Sequence, residues 1–290
     1  MKSHTLALAT GLRYHVLSWG DDHAGDTTFV LVHGFTDLGF GWCEVAPRLA
    51  AHGHVIAPDL RGHGDSEWIG AGGYYHFMDY VADLDDVIRQ LARRRVILVG
   101  HSMGGSVASY YAGTRPDRIA ALALLEGLGP PDLVGGEGPT RTAMWIDAWR
   151  DARGKQKVMP DLDEAVRRLQ RHDHLLDDAL ARRLAEAGTR AVEGGIVWKH
   201  DPLHGTFGPY PYRLDTARKY WERITCPVLC VDGAQSKLNL PEAERAARRA
   251  SFANVQTLVL ERAGHALQRH QPERLVEAIV ALAAGTSGTS

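Results

Sequence analysis

Apolar residues along the chain fall into short, bounded runs that alternate with stretches of helical spacing. Tyr14–Trp19, Phe29–His33 and His54–Pro58 read as strands, the second with the unbroken apolar character of a strand buried on both faces. Tyr80–Leu91 carries apolar side chains at helical spacing. Val96–Gly100 is again a continuous apolar run, Ser106–Gly113 reads as a small-residue helix, and Ile119–Leu125 is one more bounded run. Val228–Val231 and Val255–Leu260 repeat the strand theme far downstream, and Pro272–Ala284 closes the pattern as a helix. Buried strands alternating with helices predict an α/β fold, a mostly parallel sheet with helices on both faces.

Between residues 127 and 219 the texture changes. Strand-like runs vanish, and glycine and proline crowd the stretch GLGPPDLVGGEGP. Three helix candidates follow, Thr140–Arg153, Asp161–His172 and Asp177–Ala187, the second opening on a capping pattern of Asp161 and Glu164. The pattern predicts a core of residues 1–126 and 220–285 interrupted by a helical insertion at 127–219. The small, polar end at 286–290 is expected to be disordered.

Composition narrows the function classes. The 290 residues are 44% hydrophobic, enough for a large core. Lysine and arginine number 33 against 35 aspartates and glutamates, a net charge of −2, which offers no field for nucleic acid or an anionic membrane. No run approaches the roughly 18 apolar residues of a membrane span, and the first residues lack the apolar core of a signal peptide. Three cysteines, Cys43, Cys226 and Cys230, do not make a disulfide framework, and the last two lie too far apart along one strand to bridge. These features point to a cytoplasmic protein.

The candidate chemistry begins at Gly100-His101-Ser102-Met103-Gly104, a G-x-S-x-G pattern after a strand and before a helix. A serine on that turn is lifted off the sheet, glycines on either side relieve the crowding, and the Met103 amide at the helix start points at developing negative charge. Acyl transfer needs a second amide donor. The strand Val30-Leu31-Val32 ends in His33-Gly34-Phe35, where the Phe35 amide can serve, so Phe35 and Met103 form the expected oxyanion hole. His265 follows the last strand, where a general base belongs. His63, His101, His172, His174, His200, His204 and His270 read as loop or surface residues. Paired histidines lack metal-ligand spacing, so no metal and no cofactor are expected.

Taken in order, His33-Gly34-Phe35, Asp59-Leu-Arg-Gly-His-Gly-Asp-Ser66, Gly100–Gly105 and Gly264-His265 resemble the motifs of the α/β-hydrolase superfamily. The resemblance covers about residues 1–126 and 220–285. It implies an eight-stranded, mostly parallel sheet with a cap inserted after the sixth strand, the slot that residues 127–219 fill. It also implies that the segment from Asp59 to Ser66 is a structural turn beside the pocket.

The acid is the departure. The family's usual aspartate follows the seventh strand, and that position holds Ser236. Glu126, closing the apolar run Ala121–Leu125, is the leading replacement; some haloalkane dehalogenases are similar in placing a glutamate or asparagine there. Asp232 is a second candidate, and a triad without an acid is the third. The chain order Ser102, Glu126, His265 matches the fold's serine–acid–histidine order. The expected activity is hydrolysis of a small-molecule carboxylic ester through an acyl-enzyme. Thioester or carbon–carbon cleavage would use the same parts, and a weakly catalytic ligand-binding homologue is the alternative that Ser236 raises. Trp145 and Trp149, four residues apart, fit either an acyl pocket or the interior of the insertion.

Overall fold

The computed structural model describes residues 1–21, 25–132, 138–152 and 154–285; the tail at 286–290 and Arg153 lie outside them. In chain order the elements are β1 (Lys2–Ala7), β2 (Arg13–Trp19), β3 (Thr27–Val32), α1 (Ala46–Leu49), β4 (His54–Pro58), α2 (Phe77–Leu91), β5 (Arg95–His101), α3 (Met103–Thr114) and β6 (Ile119–Leu125). The insertion supplies α4 (Pro139–Ala152), α5 (Leu162–His172), α6 (Asp178–Gly188), β7 (Thr189–Val192), β8 (Gly195–Trp198) and α7 (Leu214–Trp221). The core resumes with β9 (Val228–Gly233), α8 (Glu242–Arg249), β10 (Val255–Leu260), α9 (Leu267–His270) and α10 (Pro272–Ala284).

Eight strands form one sheet in the order β1-β2-β4-β3-β5-β6-β9-β10. Only the pairings of β2 with β1 and β4 are antiparallel. Alternation along the central strands divides the core into two layers. Val30, Val32, Val96 and Leu98 face α2, α3 and α7, where they meet Leu84, Ile88, Tyr111 and Trp221. Phe29, Leu31, Ile97 and Val99 face the other way, toward Leu49, Leu275 and Ile279. The α/β class and the mostly parallel eight-stranded sheet are as expected.

Two elements depart from the sequence reading. β1 is an edge strand that pairs only with β2, and its residues are exposed or half-buried. A solvated edge needs few apolar side chains, so its period-two signal is weak. The insertion, expected to be helical throughout, also holds the hairpin β7–β8. Its signal was present: β-branched residues and Trp198 flank the turn Glu193-Gly194, with Gly194 at φ 80°. Asp161 and Asp177 cap α5 and α6, accepting from the Glu164 and Leu180 amides at 2.8 and 2.9 Å.

Helix α3 lies so close to the sheet that side chains are excluded. A Cβ on Gly104 would stand 2.3 Å from the Val32 carbonyl oxygen, and one on Gly105 2.5 Å from the Gly127 Cα. Gly105→Ala should therefore push α3 off the end of β6 and lower the unfolding free energy by about 1–3 kcal/mol, read as a lower urea midpoint. Gly205→Ala, whose added methyl meets open space, should leave the midpoint in place. Equal midpoints for the two variants would refute the packing argument.

Candidate active site

Ser102 stands between β5 and α3 with φ 53° and ψ −120°, a strained backbone for a residue with a Cβ. Its N–H donates to the Leu125 carbonyl at 2.9 Å, tying the turn to the end of β6. The Gly105 amide donates back to the Ser102 carbonyl at 2.9 Å. Met103 opens α3, so its N–H lacks an intrahelical acceptor. Among the described residues neither the Met103 nor the Phe35 amide meets an acceptor, and Phe35 and Ser102 both line one cavity.

The loop carrying Phe35 is held by two buried histidines. His33 donates from Nδ1 to the Gly34 carbonyl at 2.7 Å, and its Nε2 accepts from the Leu60 amide at 2.9 Å. His63 accepts from the Thr36 amide at 3.2 Å through Nε2 and donates from Nδ1 to the Arg61 carbonyl at 3.0 Å. Each ring uses one nitrogen as donor and the other as acceptor, which only the neutral form allows. His204, from the insertion, stacks on His63 at 4.1 Å between ring centroids. His63, His101 and His204 were expected at the surface or in loops; all three are buried.

The segment from Asp59 to Ser66 is the hub of this wall. Asp59 accepts from the Gly39 and Asp65 amides and from His15 at 2.6–2.8 Å. Arg61 holds buried Asp83 through Nε and Nη2 at 2.6 and 2.8 Å. His15, Asp59 and Asp65 have the spacing of metal ligands. The Lys199 ammonium already sits 2.8 Å from Asp65, and the Asp59 oxygens are taken by those donors, so the group is built as a hydrogen-bonded turn.

His265 occupies the loop between β10 and α9. Its Nδ1 lies 2.5 Å from Glu126 Oε2. An ionised carboxylate only accepts, so Nδ1 is the donor of this bond. Glu126 ends β6 in a left-handed conformation, φ 45°, and its side chain is 3% exposed. Its Oε1 accepts from the Gly233 amide at 3.0 Å, and Oε2 also accepts from the Ser236 hydroxyl at 2.7 Å. Asp232 points elsewhere, to Arg245 and Arg249 at 2.7 and 3.0 Å. Of the candidate acids, Glu126 reaches His265 and Asp232 does not. Ser236, at the position where an aspartate was expected, donates to the carboxylate.

Two further histidines fix the loop of His265, and neither was singled out by the sequence. His101 Nε2 donates to the His265 carbonyl at 2.8 Å, with the two rings 4.7 Å apart. His270 Nδ1 accepts from the Gly264 amide at 3.1 Å, and its Nε2 donates to Asp173 of the insertion at 2.8 Å. The cavity above Ser102 and His265 measures about 660 Å³ and is walled on the insertion side by Leu169, Asp173, Leu184, Trp198 and His200. Trp145 and Trp149 do not line it; they stack on each other at 5.1 Å and against Tyr74.

Burial pushes the His33, His63 and His101 pKa values down, helped for His101 by His265 and for His63 by His204; burial lowers His204 to about 3. An unfolded histidine takes up its proton near pH 6.5. Below that pH the unfolded chain binds more protons than the fold, so stability is full above it and falls as pH drops. His15, raised by its hydrogen bond to Asp59, opposes the trend but is one histidine against six, because burial also lowers His54 and His200. The unfolding free energy should fall by at least about 2 kcal/mol from pH 7.5 to 5.0, measured by urea titration. An unchanged or higher value at pH 5.0 would contradict the neutral assignments.

Residues 29–278 match the alpha/beta hydrolase family. The 3-hydroxybutyrate-oligomer hydrolase of Cupriavidus necator is 29% identical over 261 residues, 84% of each chain. Epoxide hydrolase 3 of Siraitia grosvenorii is 35% identical over 123 residues, 42% of this chain. This chain spans 38% of that relative's length and 57% of another curated relative it matches. Among solved structures, the thioesterase domain from the curacin biosynthetic pathway superposes with a TM-score of 0.83 at 28% identity, over 97% of this chain and 99% of that one. No helix among the described residues is long and apolar enough to cross a membrane. The family match runs from β3 into α10 and takes in every strand that reaches the site, and on that ground the chain belongs to the alpha/beta hydrolase family.

Proposed function

We propose that this protein is a serine hydrolase of carboxylic esters, with Ser102 as nucleophile, His265 as general base and acid, and Glu126 as the acid that orients the base. The reading rests above all on the 2.5 Å contact between His265 Nδ1 and Glu126, beside a cavity that Ser102 shares. Ser102 Oγ attacks the ester carbonyl as its proton passes to His265 Nε2. Glu126 stabilises the imidazolium that forms. The tetrahedral oxyanion takes the Phe35 and Met103 amides. As the intermediate collapses, the alkoxide leaves with the proton from His265. Water, losing a proton to the same nitrogen, then attacks the acyl-enzyme, and the carboxylic acid departs. These steps use no cofactor. The residues between β6 and β9 act as a cap that closes the cavity from above.

Epoxide hydrolases of this fold attack with aspartate, and position 102 is serine, which favours acyl chemistry despite the likeness to epoxide hydrolase 3. The 3-hydroxybutyrate-oligomer hydrolase, matched over 84% of its length, supports an ester. Thioester cleavage is the second reading, favoured by the likeness to a thioesterase domain. Three free, buried cysteines suit a cytoplasmic setting.

A fluorophosphonate probe should label Ser102 and spare Ser102→Ala; failure to label the wild-type protein would overturn the serine-hydrolase reading. On 4-nitrophenyl butyrate, Glu126→Gln should lower kcat by about 10³–10⁴-fold, while Asp232→Asn stays within about threefold, a minor loss for a residue outside the triad. The reverse ranking would move the acid to Asp232.

A further inference from the structure

The cavity has a charge balance that the chain as a whole lacks. The protein carries a formal charge of −2. Among the described residues the cavity lining holds two carboxylates, Asp37 and Asp173; Asp37 is paired with Arg269 at 2.7 Å, and Asp173 accepts a hydrogen bond from His270 at 2.8 Å. Lys199, on the insertion side, is paired with Asp65 at 2.8 Å. Lys237 is different. It lines the cavity, it is exposed, and among the described residues it meets neither a carboxylate nor another acceptor.

Its position ties it to the chemistry. Ser236, the preceding residue, donates to the Glu126 oxygen that also meets His265. The following residue, Leu238, is 68% exposed, and Phe35 beside Ser102 is 49% exposed. Large apolar side chains left open on a cavity wall gain by covering one another or a ligand. The cavity wall therefore carries two exposed apolar side chains, Phe35 and Leu238, and, next to Leu238 in the chain, one ammonium that meets no acceptor among the described residues.

We propose that the substrate carries an anionic group on a short apolar stem, and that Lys237 receives that group while the scissile carbonyl lies at Ser102. The proposal rests on the serine-hydrolase reading. A carboxylate on the acyl side and a phosphate on the leaving side present the same chemistry to an ammonium, and two substrate pairs separate them. The first pair is the 4-nitrophenyl monoester of adipic acid against 4-nitrophenyl hexanoate. The second is the hexanoyl thioester of 4-mercaptobutyl phosphate against the hexanoyl thioester of 4-mercaptobutanol.

In one pair the anionic member should be preferred in kcat/KM by at least about fivefold, chiefly through KM. That preference should shrink toward unity in Lys237→Met, persist in Lys237→Arg, and weaken in about 0.5 M sodium chloride, where screening is strong. Wild-type protein that cleaves the neutral members with no preference in either pair would overturn the proposal and leave the serine-hydrolase reading standing. A preference unmoved by Lys237→Met would also overturn it. If none of the four compounds is cleaved and the fluorophosphonate fails to label Ser102, the hydrolase reading falls and takes the proposal with it.

Discussion

One buried carboxylate holds the candidate active site of this molecule together. Glu126 accepts from the Gly233 amide, the Ser236 hydroxyl and His265, which lie 107, 110 and 139 positions further along the chain. A charge withdrawn from water is tolerable only when donors surround it. Three donors, from the end of β9, the loop after it and the loop after β10, therefore fold onto the end of β6 or the charge is left bare. The strand order β6-β9-β10 makes this feasible, since it sets the three carboxyl ends side by side. The left-handed backbone at Glu126 and Ser102 is the local cost, about 1–3 kcal/mol each, and it persists because the packing around both residues leaves no alternative path for the chain.

Much of this was legible in the sequence, for physical reasons that can be named. Ser102 announced itself because the turn it needs demands small residues at fixed offsets; the structure shows why, with carbonyl oxygens where a Cβ on Gly104 would go. His265 was found by position, since only one histidine follows the last strand directly. Glu126 was found because a charge ended an apolar run. What stayed hidden was partnership. Ser236 looked like a lost acid, because its role depends on a residue 110 positions earlier. His63, His101 and His270 looked like loop histidines, because no local pattern tells a solvated imidazole from one whose two nitrogens are both engaged. The edge strand β1 escaped because a half-exposed strand buries too little to leave a pattern, whereas the hairpin β7–β8 left a short one that the helical texture around it masked.

The buried histidines share a property that explains their number. Each neutral imidazole offers one donor and one acceptor at fixed separation, so it can bridge an amide to a carbonyl across a gap too wide for a direct bond. His33 and His63 do this for the Phe35 loop, and His101 joins the turn of Ser102 to the loop of His265. Such bridges would preorganise the proposed oxyanion site before any substrate arrives.

The link from Asp173 through His270 to the Gly264 amide crosses from the insertion to the loop of His265. In evolutionary terms it makes the inserted segment less of a free module than its place between two strands suggests. A lineage that exchanges this segment for another, to admit a different substrate, must supply a new acceptor for His270 or leave an imidazole nitrogen stranded next to the loop of His265. Diversification of the pocket is thereby channelled into the residues of the segment that face the cavity and away from the one that anchors it.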